Sequence, residues 1–142
     1  MKFIKPKRTI SRVFLHCSDS DIGYHDNIEI IRKWHVTSRG WDDIGYHFFI
    51  NKLGILQTGR DIEQDPVAQR YHNKGTIAIC LSGRNNFAPI QFQRLRKFLE
   101  EIDKKYDSKI TFHGHCEVSR KTCPNFDYKT IIGINAQNSL TY

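Results

Sequence analysis

Ile10-Ser11-Arg12-Val13-Phe14-Leu15-His16 is a mostly apolar run that gives way to Ser18-Asp19-Ser20. Such a run, bounded by turn formers, reads as a buried strand. Its end, Leu15-His16-Cys17-Ser18, sets an imidazole and a thiol where strand becomes loop. Sheet proteins commonly carry their reactive groups at such junctions.

Outward from this strand the chain alternates. A helix is expected from about Asn27 to Thr37, because Asp26 and Glu29 have capping-box spacing and Ile30, Ile31 and Trp34 form an inward stripe. Tyr46 to Ile50 reads as a strand, and Asn51 to Gly54 turns it back into Ile55 to Thr58 as a hairpin. Thr76 to Leu81 is a further apolar strand, stopped by Ser82-Gly83. The strongest helix runs from Ile90 or Gln91 to Tyr106, with Leu95, Phe98, Leu99, Ile102 and Tyr106 at helical spacing. Lys109 to Phe112 reads as a strand and Tyr128 to Ile132 as a turn or two of helix. The expected architecture is one α/β domain over residues 1–142, with a central mixed sheet flanked by helices. Its core is expected over about 11–134, and the mostly polar stretch 135–142 is expected to be loosely held.

A chain of 142 residues, 39% hydrophobic, is long enough to bury one real core. No apolar run is long enough to cross a bilayer, so no membrane insertion is expected. Met1 to Ile10 is basic but lacks an apolar h-region, so no secretory signal is expected. The expectation is a protein made in the cytoplasm that reaches any external target by another route. The net charge of +7 draws the chain to polyanions: nucleic acid, anionic membrane or acidic wall polymers. The basic residues are scattered, with no arginine-rich run, so no specific nucleic-acid partner is expected. The four cysteines, Cys17, Cys80, Cys116 and Cys123, read as free thiols used for metal binding or burial.

A second reactive stretch is His113-Gly114-His115-Cys116-Glu117-Val118-Ser119-Arg120-Lys121-Thr122-Cys123-Pro124. Zinc favours imidazole and thiolate, and a catalytic zinc keeps three protein ligands and an open position. His16, His115 and Cys123 would supply that set, leaving positive charge to lower the pKa of bound water to roughly 7. A closed site of Cys116, Cys123 and two histidines is the rival, and His113 competes with His115. Cys80 reads as core. Pleat alternation should turn Cys17 and Cys116 away from the site, and His47 away from the side that Tyr46 faces.

Phe14-Leu15-His16-Cys17-Ser18, Arg39-Gly40-Trp41-Asp42-Asp43-Ile44-Gly45-Tyr46-His47-Phe48-Phe49-Ile50, Gly59-Arg60, Ile77 to Gly83 and His115 to Pro124 occur in the order of a known family. Over roughly residues 11 to 132 the chain resembles the type 2 N-acetylmuramoyl-L-alanine amidases, which include amidase-type phage lysozymes and peptidoglycan recognition proteins. The resemblance implies zinc ligands at His16, His115 and Cys123, at one end of a surface groove, with Tyr46 and Lys121 assisting catalysis. It implies hydrolysis of the bond between N-acetylmuramic acid and L-alanine, with peptidoglycan or muropeptides as partner, a monomer, and a phage or prophage endolysin as the setting. Tyr46 and Lys121 could each donate to the tetrahedral oxyanion. Tyr46 could alternatively orient or deprotonate the water.

Glu117 could hydrogen-bond a ligand histidine or cap local backbone. Trp41 could line the cleft. Many relatives carry a G-A-H-type segment where this chain reads Pro66-Val67-Ala68-Gln69-Arg70-Tyr71-His72-Asn73. The His-Asn pair is present and the earlier histidine is not. Arg70, His72 and Asn73 are therefore candidate substrate contacts. Three rivals stay open: a recognition module without turnover, a polymerase-binding regulator of the same fold, and a basic nucleic-acid binder with a structural zinc.

Overall fold

The computed structural model describes residues 2–142. Five strands form one sheet: β1 (Arg12–Cys17), β2 (Phe48–Ile50), β3 (Leu56–Thr58), β4 (Thr76–Leu81) and β5 (Thr111–Gly114), in the order β3-β2-β4-β1-β5. β1 lies parallel to β4 and β5, and β2 parallel to β4; only the β2–β3 hairpin is antiparallel. The sheet is mixed, and the fold is the single α/β domain expected.

Alternation along β1 divides its side chains between the two faces. Val13 and Leu15 join Ile77, Ile79, Leu81 and Phe112 against helix α2 (Pro89–Lys105), through Leu95, Phe98, Leu99 and Ile102. On the opposite face Phe49 and Cys80 pack against Ile28 and Ile31 of helix α1 (Ile28–Lys33). His16 falls on this second side. Burying each α2 leucine or phenylalanine contributes about 1.5–3 kcal/mol, so α2 anchors the sheet that carries the site.

Several boundaries differ from the sequence reading. Asn27, not Asp26, caps α1: its Oδ1 accepts from the Glu29 amide at 2.8 Å, while the Asp26 carboxylate accepts from the Lys52 amide at 2.9 Å. The expected helix to Thr37 is α-helical only to Lys33, then widens into a π-turn over Trp34–Ser38. Pro89 opens α2 at a position where its missing N–H costs nothing. β5 begins two residues later than expected, because pairing with β1 sets Arg12 opposite Thr111 and Leu15 opposite Gly114. Gly114 permits a close approach here: a Cβ would lie 2.5 Å from the Tyr128 ring, on helix α3 (Tyr128–Ile132).

The core also extends past both expected limits. Phe3 is 2% exposed and packs on Phe98 and Tyr106. The C-terminal stretch is not loose. The Phe112 amide donates to the Asn138 carbonyl at 2.8 Å, Leu140 is buried, and the Tyr142 hydroxyl donates to Asp103 at 2.7 Å. A polar composition did not reveal these partners, which lie on β5 and α2. No helix among the described residues is long and apolar enough to cross a membrane.

Candidate active site

The parallel strands β1, β4 and β5 point their carboxyl ends to one edge of the sheet, where α/β proteins bind ligands. His16 is the penultimate residue of β1 and His115 follows β5 directly. Their rings lie 4.7 Å apart between centroids. Cys123 arrives on the loop after β5, and the Cys116 amide holds it by donating to its carbonyl at 2.8 Å.

The ligand atoms of His16, His115 and Cys123 all lie within 4.8 Å of one another, and His16 Nδ1 is 3.9 Å from Cys123 Sγ. Among the described residues this is the one group able to hold a metal ion. A tetrahedral zinc would set such atoms roughly 3.3–3.8 Å apart, so shifts of about 1 Å or less close the site. Burial, with the neighbouring His115 and Lys121, pushes the His16 pKa down to about 3, and burial and Lys121 lower that of His115. Both rings are therefore neutral at pH 7 with a lone pair to offer. The Cys123 thiol is hydrogen-bonded to Cys17 and withdrawn from water, which raises its pKa. A cation would have to displace that proton, as thiolate ligation requires. The donor set fits zinc.

Above the triad a cleft of about 720 Å³ opens to solvent, lined by Tyr46, Trp41, His35, Lys121 and two members of the triad, His115 and Cys123. His16 lies behind this lining, 1% exposed, against the rings of Tyr46 and His115. The Tyr46 ring packs 5.1 Å from His16. Burial, with the nearby thiols, raises the Tyr46 pKa well above its ordinary value, so the phenol stays protonated. Arg39, Arg84 and Lys121 surround the cleft with positive charge. His47 faces away, although it precedes β2: its Nδ1 accepts from the Ala78 amide and its Nε2 donates to the Gln64 carbonyl at 2.7 Å.

Other assignments need correction. Glu117 does not touch His115. Its carboxylate accepts from the Gly114 amide at 2.9 Å and from Tyr128, Asn138 and His113, so it braces the loop backbone. His113 stacks on Phe14 at 5.3 Å and lies outside the metal-competent group. Cys116 is half-buried against the main core and lies outside the metal-competent group, which disfavours the rival closed site. Cys80 is fully buried as expected. Cys17 is not turned away: it lines the cleft and its amide donates to Cys123 Sγ at 3.2 Å. Cys17 is the last paired residue of β1, opposite Leu81, and the loop carrying Cys123 folds back onto it. Arg70, His72 and Asn73 lie outside the cleft lining. Arg70 rests over the Tyr71 ring, and Asn73 Oδ1 accepts from the Ala68 and Gln69 amides.

Sequence reasoning passed over His35 and Gln69. The π-turn carries His35 to the cleft wall, where its Nδ1 accepts from the Gly45 amide at 2.9 Å and its ring packs on Trp41. A histidine that breaks an otherwise apolar helical stripe was the available signal. Gln69, with no spacing signature at all, contacts His16 directly.

Fold and site together define an amidase-like α/β domain with a metal-competent triad at the carboxyl edge of its sheet. The chain belongs to the N-acetylmuramoyl-L-alanine amidase family, whose profile matches residues 6–126. It is 35% identical over 133 residues to the endolysin of Enterobacteria phage T3, covering 88% of this chain and 87% of that protein. An endolysin N-acetylmuramoyl-L-alanine amidase from Clostridium intestinale superposes with a TM-score of 0.75 at 27% identity, over 87% of this chain and 82% of the other. A Drosophila peptidoglycan recognition protein solved with tracheal cytotoxin shares the fold, with a TM-score of 0.75 at 21% identity, over 96% of this chain and 86% of that one.

Proposed function

We propose that this amidase is a zinc-dependent endolysin of phage or prophage origin. It hydrolyses the amide between N-acetylmuramic acid and L-alanine in peptidoglycan or its fragments. The convergence of His16, His115 and Cys123 beneath an open cleft carries this reading. Family membership and the similar length of phage endolysins support it.

His16, His115 and Cys123 would hold the zinc, which when bound supplies Lewis acidity and acidifies water. The remaining chemistry belongs to side chains of the cleft. Tyr46, kept protonated by burial, is a hydrogen-bond donor rather than a base. With the Lys121 ammonium it donates to the oxygen that gains charge as the lactyl carbonyl becomes tetrahedral. Each such donor is worth about 10²–10³ in rate. Trp41 forms an apolar wall for the substrate, and Arg39 and Arg84 attract its acidic groups. The cleft is complete within one chain, which suits a monomer.

Digestion of purified peptidoglycan with and without a chelator tests the proposal. The expected result is chelator-sensitive release of new alanine amino termini without new reducing sugar ends. New reducing ends, or indifference to the chelator, would refute it.

A further inference from the structure

Gln69 is wholly buried although it belongs to a polar loop, and its side chain spans the gap between that loop and β1. Its Oε1 lies 2.9 Å from His16 Nε2. Its Nε2 lies 2.7 Å from Thr76 Oγ1 and 3.3 Å from the His72 carbonyl. These contacts settle which way the amide points. The Thr76 hydroxyl has one hydrogen, donated to the Asn73 carbonyl at 2.8 Å. Its oxygen must therefore accept from Gln69, and the group facing it is NH₂. The flipped amide would set two carbonyl oxygens, of Gln69 and His72, against each other. Oε1 is thus committed to His16, whose Nε2 must carry the proton.

We infer that Gln69 is a positioning residue for the metal site: it locks His16 in the Nε2–H tautomer and aims the bare Nδ1 at Cys123. This rests on the zinc reading proposed above. The alternative tautomer would place an N–H where the ion must bind, and correcting it would break the Gln69 bond. The lock is itself braced, because Asn73 Oδ1 accepts from the Gln69 amide at 2.9 Å and so ties the loop on which Gln69 sits. Asn73, a candidate substrate contact from sequence, thereby acts two steps behind the ligand. Partners of this kind typically contribute 10–100-fold to metal affinity.

Two measurements decide it. Nitrogen-15 NMR of the metal-free wild-type chain reads the His16 tautomer directly; Nε2–H is expected, and Nδ1–H overturns the inference. Zinc affinity is then measured by chelator competition for wild type and for Gln69→Leu, which keeps the volume and removes the acceptor. The variant is expected to bind about 10–100-fold more weakly and to lose the tautomer preference, and wild-type affinity in it overturns the inference. If the variant does not fold, the wild-type tautomer still decides. A wild-type chain that binds no zinc refutes the metal reading itself, which separates that failure from an error about Gln69.

Discussion

The Nδ1 of His16 lies 3.9 Å from the Sγ of Cys123, across 107 residues of chain. One atom comes from β1 and the other from the loop after β5, so the contact reports assembly of the whole sheet edge. Cys123→Ala removes the thiolate and leaves two imidazoles. Zinc content, measured by mass spectrometry on purified protein, should fall from about one ion per chain to near zero, and amidase activity with it. Full activity in this variant would count decisively against the triad.

Tyr46 and Lys121 face the cleft without belonging to the metal-competent group. Tyr46→Phe and Lys121→Ala should each lower kcat by about 10²–10³ while zinc stays bound. Metal loss in either would show that its role had been misassigned.

Glu117 joins the His115 loop to α3 and to the C-terminal stretch through Gly114, Tyr128 and Asn138. Glu117→Ala strips these bonds in a partly solvated place, so a loss of about 1–2 kcal/mol is expected. For a domain of this size that lowers Tm by roughly 2–8 °C. Zinc affinity should fall by a smaller factor than in Gln69→Leu, because Glu117 makes no hydrogen bond to the metal-competent residues. An unchanged Tm would show that the loop needs no brace.

His47 is 1% exposed, and burial pushes its pKa from an ordinary 6.5 down to about 4, with Arg8 and Arg60 adding to the fall against the Gln64 carbonyl. Between those values the unfolded chain binds the proton and the folded chain does not. Stability from this residue is therefore complete above pH 6.5 and lost as pH falls toward 4. The full shift is worth roughly 3 kcal/mol. Urea midpoints at pH 7 and pH 4.5 should differ less in His47→Gln than in wild type. Equal differences would show that other groups, such as His35, govern the acid limb.

The strand from Thr76 to Leu81 was legible to the residue, and α2 and the hairpin nearly so, because apolar periodicity and turn formers are local properties of sequence. Zinc's donor preferences pointed to the three candidate residues, but only the order of several motifs favoured His115, since no local rule distinguishes it from His113. That choice was made in space: pairing with β1 sets the register of β5, which places His113 on Phe14 and lets His115 emerge past the strand end.

By itself, then, the sequence determined the alternation of elements, the inward faces and the chemical kinds of the three metal-competent residues. The tertiary structure decided the rest: that Gln69 meets His16, that Glu117 serves backbone and not imidazole, that Cys17 stands beside Cys123, and that the chain end is pinned to β5. Apart from the short Glu117–Gly114 bond, each is a contact between segments far apart in the chain. Its partners are chosen by sheet register and loop path, which come from packing the whole core rather than from any local pattern of residues.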